Sequence, residues 1–96
     1  MMNNDLTNLK YVEVPMNVLL DEELSSTSKL LMGLITTLSM QNGYCYASNK
    51  YLSNLMKVSK RTITNCISSL KRKNYIEIEN IPNMRKIYLA NIFHTK

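Results

Sequence analysis

Arg61, Asn65, Ser68 and Arg72 recur at intervals of four, three and four residues. At about 100° per residue of a helix, that spacing stacks them on one face, with Ser69 at its margin. The row offers two guanidinium forks, an amide and hydroxyls, and no carboxylate or large apolar side chain. A guanidinium fork matches guanine O6 and N7, a carboxamide matches adenine N6 and N7, and hydroxyls and cations suit phosphate oxygens. Opposite the row, Ile63, Ile67 and Leu70 fall at i, i+4 and i+7 with Cys66 beside them, a stripe that must be buried. The segment therefore predicts an amphipathic helix whose polar side can address a nucleic-acid groove. An ordinary helical hairpin with a solvated charged face is the plainer alternative.

Such a helix works only if something aims it. Ser59 can cap its start, because a hydroxyl can accept an orphan N–H of the first turn. Upstream, Ser48 can cap a shorter helix in which Leu52, Leu55 and Met56 share a face, and Val58 breaks the period and falls in the turn. Two short helices joined by a tight turn, the second basic and polar outside, describe a helix-turn-helix. The buried positions of that pattern fall on Leu52, Met56, Val58, Ile63 and Cys66, and its small residue in the first helix on Ser53. One position departs. The turn residue, usually Gly because it sits at positive φ, is Lys57, at a cost of order 1 kcal/mol. This predicts a slightly re-routed turn.

Composition supports the assignment and narrows it. The 96 residues form one domain with a modest core. Residues 1–47 hold Lys10 and Lys29 against Asp5, Glu13, Asp21, Glu22 and Glu23, a net −3; residues 48–96 hold ten Lys or Arg against Glu77 and Glu79, a net +8. The basic charge lies in the half with the helix pair, which suits a polyanion on one side. Cys45 and Cys66 have no CxxC or Cys/His spacing, so no zinc is expected, and Cys66 reads as a reduced core thiol. The start is no signal peptide and no apolar run can span a bilayer, which predicts a cytoplasmic protein without membrane contact. The sequence has no carboxylate pair on one face, no Ser/His/Asp set and no phosphate loop; no enzyme activity, cofactor or metal is expected.

The rest of the chain supplies the frame. Residues 1–10 read as a flexible N-terminus. Tyr11-Val-Glu-Val14 alternates as a short strand with Val12 and Val14 inward, and Pro15 opens a turn that places Val18, Leu19 and Leu20 near the core. Asp21-Glu22-Glu23 reads as a solubilising acidic loop. A long helix runs from a Ser25 cap to about Gln41, with Leu30, Leu31, Leu34, Ile35 and Leu38 on its apolar face. Gly33 within it costs about 1 kcal/mol relative to Ala, for close packing or, less simply, a hinge. Asn42-Gly43 ends that helix. Tyr44–Ala47 forms a brief strand. After the second short helix, ended by Asn74, residues 75–79 and 85–89 alternate as two strands with Ile76, Ile78, Ile87 and Leu89 inward. Asn80–Met84 connects them, and Glu77 or Glu79 can pair with Lys86 across the hairpin. The fold class is α+β, mainly α: a winged helix-turn-helix with a three-helix core and a small antiparallel β-hairpin wing, spanning residues 11–90. A tail over 91–96 contains Ile92 and Phe93, which either pack back or lead onward, and a surface His94.

With these elements in place, the chain resembles the N-terminal winged-helix domain of plasmid and phage replication-initiation proteins of Gram-positive bacteria. The resemblance is carried by Val14-Pro15, Leu24-Ser25 with Lys29-Leu30-Leu31, Cys45-Tyr46-Ala47-Ser48, Val58-Ser59-Lys60-Arg61-Thr62-Ile63, and Leu70 with Tyr75-Ile76. It implies binding of repeated double-stranded DNA sites at an origin, homodimers using the N-terminal strand, long helix or tail, and contact with replication machinery. Winged-helix repressors carry similar segments, so a small transcriptional regulator is an alternative, as is a plasmid partition protein; a protein-interaction winged helix using its tyrosines is a further alternative. Arg61 and Asn65 are the expected base readers, and Thr62 a contact to a thymine methyl or a phosphate. Ser48, Asn49, Lys50, Ser59, Lys60, Ser69, Arg72 and Lys73, with Arg85 and Lys86 on the wing, are the expected phosphate contacts.

Overall fold

The computed structural model describes residues 9–90. The expectations for the flexible start over residues 1–8, and for the tail with Ile92, Phe93 and His94, lie outside the described residues. Pro15, with φ −58°, opens a single helical turn, α1 (Met16–Leu19). The long helix α2 (Ser26–Asn42) begins where Ser25 Oγ accepts the Ser28 N–H at 3.0 Å, and it ends at Gly43 with φ 84°. Then come α3 (Asn49–Met56), α4 (Lys60–Arg72), β1 (Ile76–Ile81) and β2 (Met84–Leu89). The expected caps form: Ser48 Oγ accepts from Tyr51 N–H at 3.1 Å and Ser59 Oγ from Thr62 N–H at 3.0 Å, each worth about 1 kcal/mol.

The turn between α3 and α4 is not re-routed. Lys57 takes the left-handed conformation (φ 61°, ψ 41°), and the Val58 N–H reaches back to the Ser53 carbonyl at 3.1 Å. That six-to-one bond is the Schellman closure, so Lys57 accepts the backbone cost that Gly would have avoided. Asn74 (φ 65°) repeats the device after α4, with Tyr75 N–H bonded to the Leu70 carbonyl at 2.9 Å.

Around these helices the core is continuous. Leu31, Met32 and Ile35 of α2, Leu52 of α3, Ile63 and Leu70 of α4, and Ile76 and Ile87 of the hairpin are all under 2% exposed. Burying each such side chain stabilises the fold by about 1.5–3 kcal/mol before entropy is counted. Several expected core residues stay outside it. Leu30 and Leu55 are exposed, and after Pro15 only Val18 is buried while Leu19 and Leu20 face solvent. One turn of helix has room for a single inward position.

Residues 11–14 form no strand. The segment runs extended along α2 with Glu13 N–H donating to Thr37 Oγ1 at 3.0 Å, and Val12 stays exposed while Val14 packs on the core. It explains Gly33: a Cβ there would lie 2.6 Å from Val14 Cγ2 and 3.3 Å from Val12 Cγ2. The glycine serves close approach, not a hinge. The expected strand over residues 44–47 shrinks to one antiparallel bridge, Cys45 with Ile87, both N–H···O bonds at 2.8 Å. The hairpin is instead longer than expected. Its register pairs Ile76 with Leu89 through Ile81 with Met84, leaving a two-residue turn at Pro82-Asn83. Pro at the first central position and Asn83 at φ 67° at the second is the type II arrangement.

Candidate nucleic-acid interface

Helix α4 anchors through Ile63, Cys66, Ile67 and Leu70, all buried, and so presents its other side. Arg61, Asn65, Ser68 and Arg72 are exposed, as the spacing predicted. Neither Arg61 nor Asn65 makes a side-chain hydrogen bond or ion pair among the described residues, so both are available to a ligand. Arg72 has only a long contact, 3.4 Å from Nη2 to Ser69 Oγ. Thr64 and Lys71 are also exposed on α4 and were missed. Their signal was present: Thr64 lies three residues after Arg61 and four before Ser68 on the same polar row.

The cap residues are partly occupied. Besides capping, Ser59 Oγ donates to Thr62 Oγ1 at 3.0 Å, which turns the half-buried Thr62 toward its own helix start. Ser48 is exposed, and Lys50 and Lys60 are exposed cations close to the starts of α3 and α4. A helix N-terminus adds partial positive charge to such sites.

The two flanks of α4 differ. On one side Asn49 joins three elements: its Nδ2 donates to Thr64 Oγ1 at 3.1 Å, and its Oδ1 accepts from Arg85 Nη1 at 2.8 Å. Arg85 Nη2 also donates to the Ala47 carbonyl at 2.6 Å, while its Nε is buried without a partner. Arg85 therefore points inward, at the base of a cleft of about 570 Å³ between the wing and the start of α3. The period of the strand dictates this, since Ile87 and Leu89 face inward and Arg85 shares their side. No carboxylate among the described residues reaches it, and burial pulls its pKa below the usual guanidinium value, although a guanidinium remains charged.

On the other side, Lys73, expected as a phosphate contact, is already paired within the protein. Its Nζ lies 2.9 Å from Asp21 Oδ2 and 2.7 Å from Glu23 Oε1, so the cation is already neutralised. Asp21 also accepts from Tyr75 O–H at 2.7 Å and from Glu23 N–H at 2.9 Å. The Lys73 and Tyr75 hydrogen bonds hold the Asp21 carboxyl at a pKa of about 2, and the carboxylates push Lys73 above its ordinary value. The acidic loop thus does more than solubilise: it ties the end of α4 to the loop before α2.

On the wing, Lys86 does not pair with Glu77 or Glu79. Glu79 accepts from Tyr88 O–H at 3.0 Å, and Lys86 Nζ sits 4.6 Å from the centroid of the Tyr44 ring. Tyr44 in turn meets Tyr46 and Tyr88, at ring separations of 6.2 and 5.8 Å. Both cysteines are buried and free, and burial raises the Cys45 thiol. Among the described residues, no group of His, Cys, Asp and Glu is placed to hold a metal, and no helix is long and apolar enough to cross a membrane.

Three packed helices, a capped turn between the last two, a free polar face on the last and an antiparallel hairpin after it define a winged helix-turn-helix protein. A family model described as "Helix-turn-helix domain" matches residues 22–76, more than half of the chain. The chain belongs to that helix-turn-helix family, a DNA-binding domain. No curated protein and no solved structure matches it.

Proposed function

We propose that the domain binds double-stranded DNA sequence-specifically, with α4 in the major groove. One observation carries this reading: the exposed side of α4 is free of carboxylates, and its Arg61 and Asn65 have no partner among the described residues. Arg61 reads guanine and Asn65 adenine. Lys50, Lys60, Arg72 and Lys86 hold phosphates, with Ser48, Ser59, Thr62 and Ser69 as polar contacts at the margin. Asn49 and Arg85 act from the cleft beneath the wing. Lys73 is left out, because binding a phosphate would mean giving up two carboxylates.

By its resemblance to replication-initiation domains, the biological site is a set of origin repeats on a plasmid or phage, bound by homodimers that engage replication machinery. Selection of bound duplexes from a random pool, followed by locating the winning sequence relative to the gene, tests this. Repeats whose deletion stops replication support the origin role. A single operator beside a promoter replaces it with transcriptional control, and repeats needed for segregation but not for copying replace it with partition. Sedimentation with and without duplex tests the homodimer.

A second reading has one observation behind it. Tyr44, Tyr46 and Tyr88 gather beside Lys86 of the wing, which suits a protein contact. A protein-binding winged helix would show no steep loss of duplex affinity with salt.

A further inference from the structure

We propose that Asn49 is a specificity-determining positioning residue: it relays the donor-only character of Arg85 to Thr64 and so sets which base edge Thr64 prefers. This rests on the DNA-reading role of α4 proposed above. A guanidinium has five N–H donors and no acceptor. The Asn49 atom 2.8 Å from Arg85 Nη1 is therefore the carbonyl oxygen, and the amide nitrogen is turned to Thr64, 3.1 Å away. An amide nitrogen only donates, so Thr64 Oγ1 accepts in this bond and keeps its own O–H.

Among the described residues, nothing accepts that O–H. In α2, Thr37 and Ser39 donate theirs to the carbonyls four residues back, at 2.8 and 2.7 Å from Gly33 and Ile35. Thr64 makes no such bond and is exposed between Arg61 and Ser68. It presents a donor. The groups in a major groove that accept are purine N7, guanine O6 and thymine O4, whereas cytosine offers an N4 donor. Among the described residues, Arg85 has no carboxylate in reach to reverse this order, and it is fixed at its other fork by the Ala47 carbonyl. The wing and the groove-facing helix are thus joined by one chain of bonds with a single direction.

Asn49→Asp reverses the chain while keeping its shape. A carboxylate accepts from Arg85 and from the Thr64 O–H alike, which leaves Thr64 with lone pairs facing outward. The site selected from a random duplex pool should then change at one base pair, from a base whose acceptor faces Thr64 to cytosine, whose N4 only donates. Competition on the four single-position duplexes should show a change in preference of about tenfold or more. A variant that loses affinity equally for every sequence, with an unchanged selected site, overturns the relay and leaves only repulsion of phosphates by the new charge. Thr64→Val and Thr64→Ser give an independent check, with folding confirmed by circular dichroism. The valine should lose the preference at that base pair alone and the serine keep it; a valine variant that retains it also overturns the proposal. If the unaltered protein enriches no sequence and its duplex affinity shows no steep salt dependence, the DNA-reading role falls and the relay with it. An enriched site that Asn49→Asp leaves in place removes the relay only.

Discussion

The two flanks of α4 are both polar, both tie the helix to a part of the chain distant in sequence, and both use a cation. On the Lys73 side the cation meets two carboxylates and its charge is cancelled. On the Arg85 side the cation meets a carbonyl and an amide, with no carboxylate among the described residues, and its charge is kept. Equal counts of basic residues thus have unequal meaning. A lysine matched to Asp21 and Glu23 adds to the fold, while an arginine held by neutral acceptors still projects positive potential toward a duplex. The net charge of the basic half overstates what DNA can feel on one flank and is a fair guide on the other.

The largest effect should come from removing what both flanks share. Ile63 is fully buried beneath α4, and Ile63→Ala should destabilise the domain by about 2–5 kcal/mol. Urea unfolding checks this, and a loss under 1 kcal/mol would mean that α4 is held mainly by its flanks. Next, Arg61→Ala leaves both flanks intact and should cost about 1–3 kcal/mol of duplex affinity, with specificity relaxed at one base pair. A uniform loss across all sequences would remove the base-reading role. A sharper contrast pairs Lys86→Ala with Lys73→Ala. The first should weaken all duplexes alike and flatten the salt dependence by about one unit of slope, with little change in melting temperature. The second should lower the melting temperature and leave the slope unchanged. If Lys73→Ala flattened the slope instead, the carboxylates would be releasing their lysine to phosphate.

Much of this arrangement was legible in the sequence, and the part that was not shares one cause. Local rules succeeded: serine caps at 25, 48 and 59, the glycine stop at 43, the buried stripe of α4 and the inward faces of the hairpin each depend on neighbours within four residues. The errors needed knowledge of what lies across the fold. Alternation at Tyr11–Val14 signals an extended segment, yet a strand also needs a partner edge, and Thr37 of a helix is what Glu13 finds. The short strand at 44–47 has the same weakness and keeps one bridge. Lys73 sits near the basic face by spacing alone, but Asp21 is 52 residues away and nothing local announces it. Arg85 differs in another way: its inward orientation follows from the alternation that placed Ile87 and Leu89, a signal that its charge obscured.

The carboxylate flank also makes a prediction that the other flank cannot, because only there does a group titrate in an accessible range. Asp21 has a pKa of about 2 in the fold against 3.8 ordinarily, so between those values the unfolded chain binds more protons than the native one. Its contribution to stability is complete above about pH 5, declines as pH falls through 4 toward 2, and is gone below. Lys73 shifts the other way, so its share is complete below its ordinary value of 10.5 and is lost only as pH rises beyond it. Asp21→Asn keeps an acceptor for the Tyr75 hydroxyl but removes the charge beside Lys73. The variant should melt below the unaltered protein at pH 7, the gap should close between pH 4 and pH 2, and salt should narrow it at pH 7. A gap that stays constant from pH 7 to pH 2 would show that the carboxylate acts by shape and hydrogen bonding alone, and the contrast between a cancelled and a retained cation would lose its electrostatic basis.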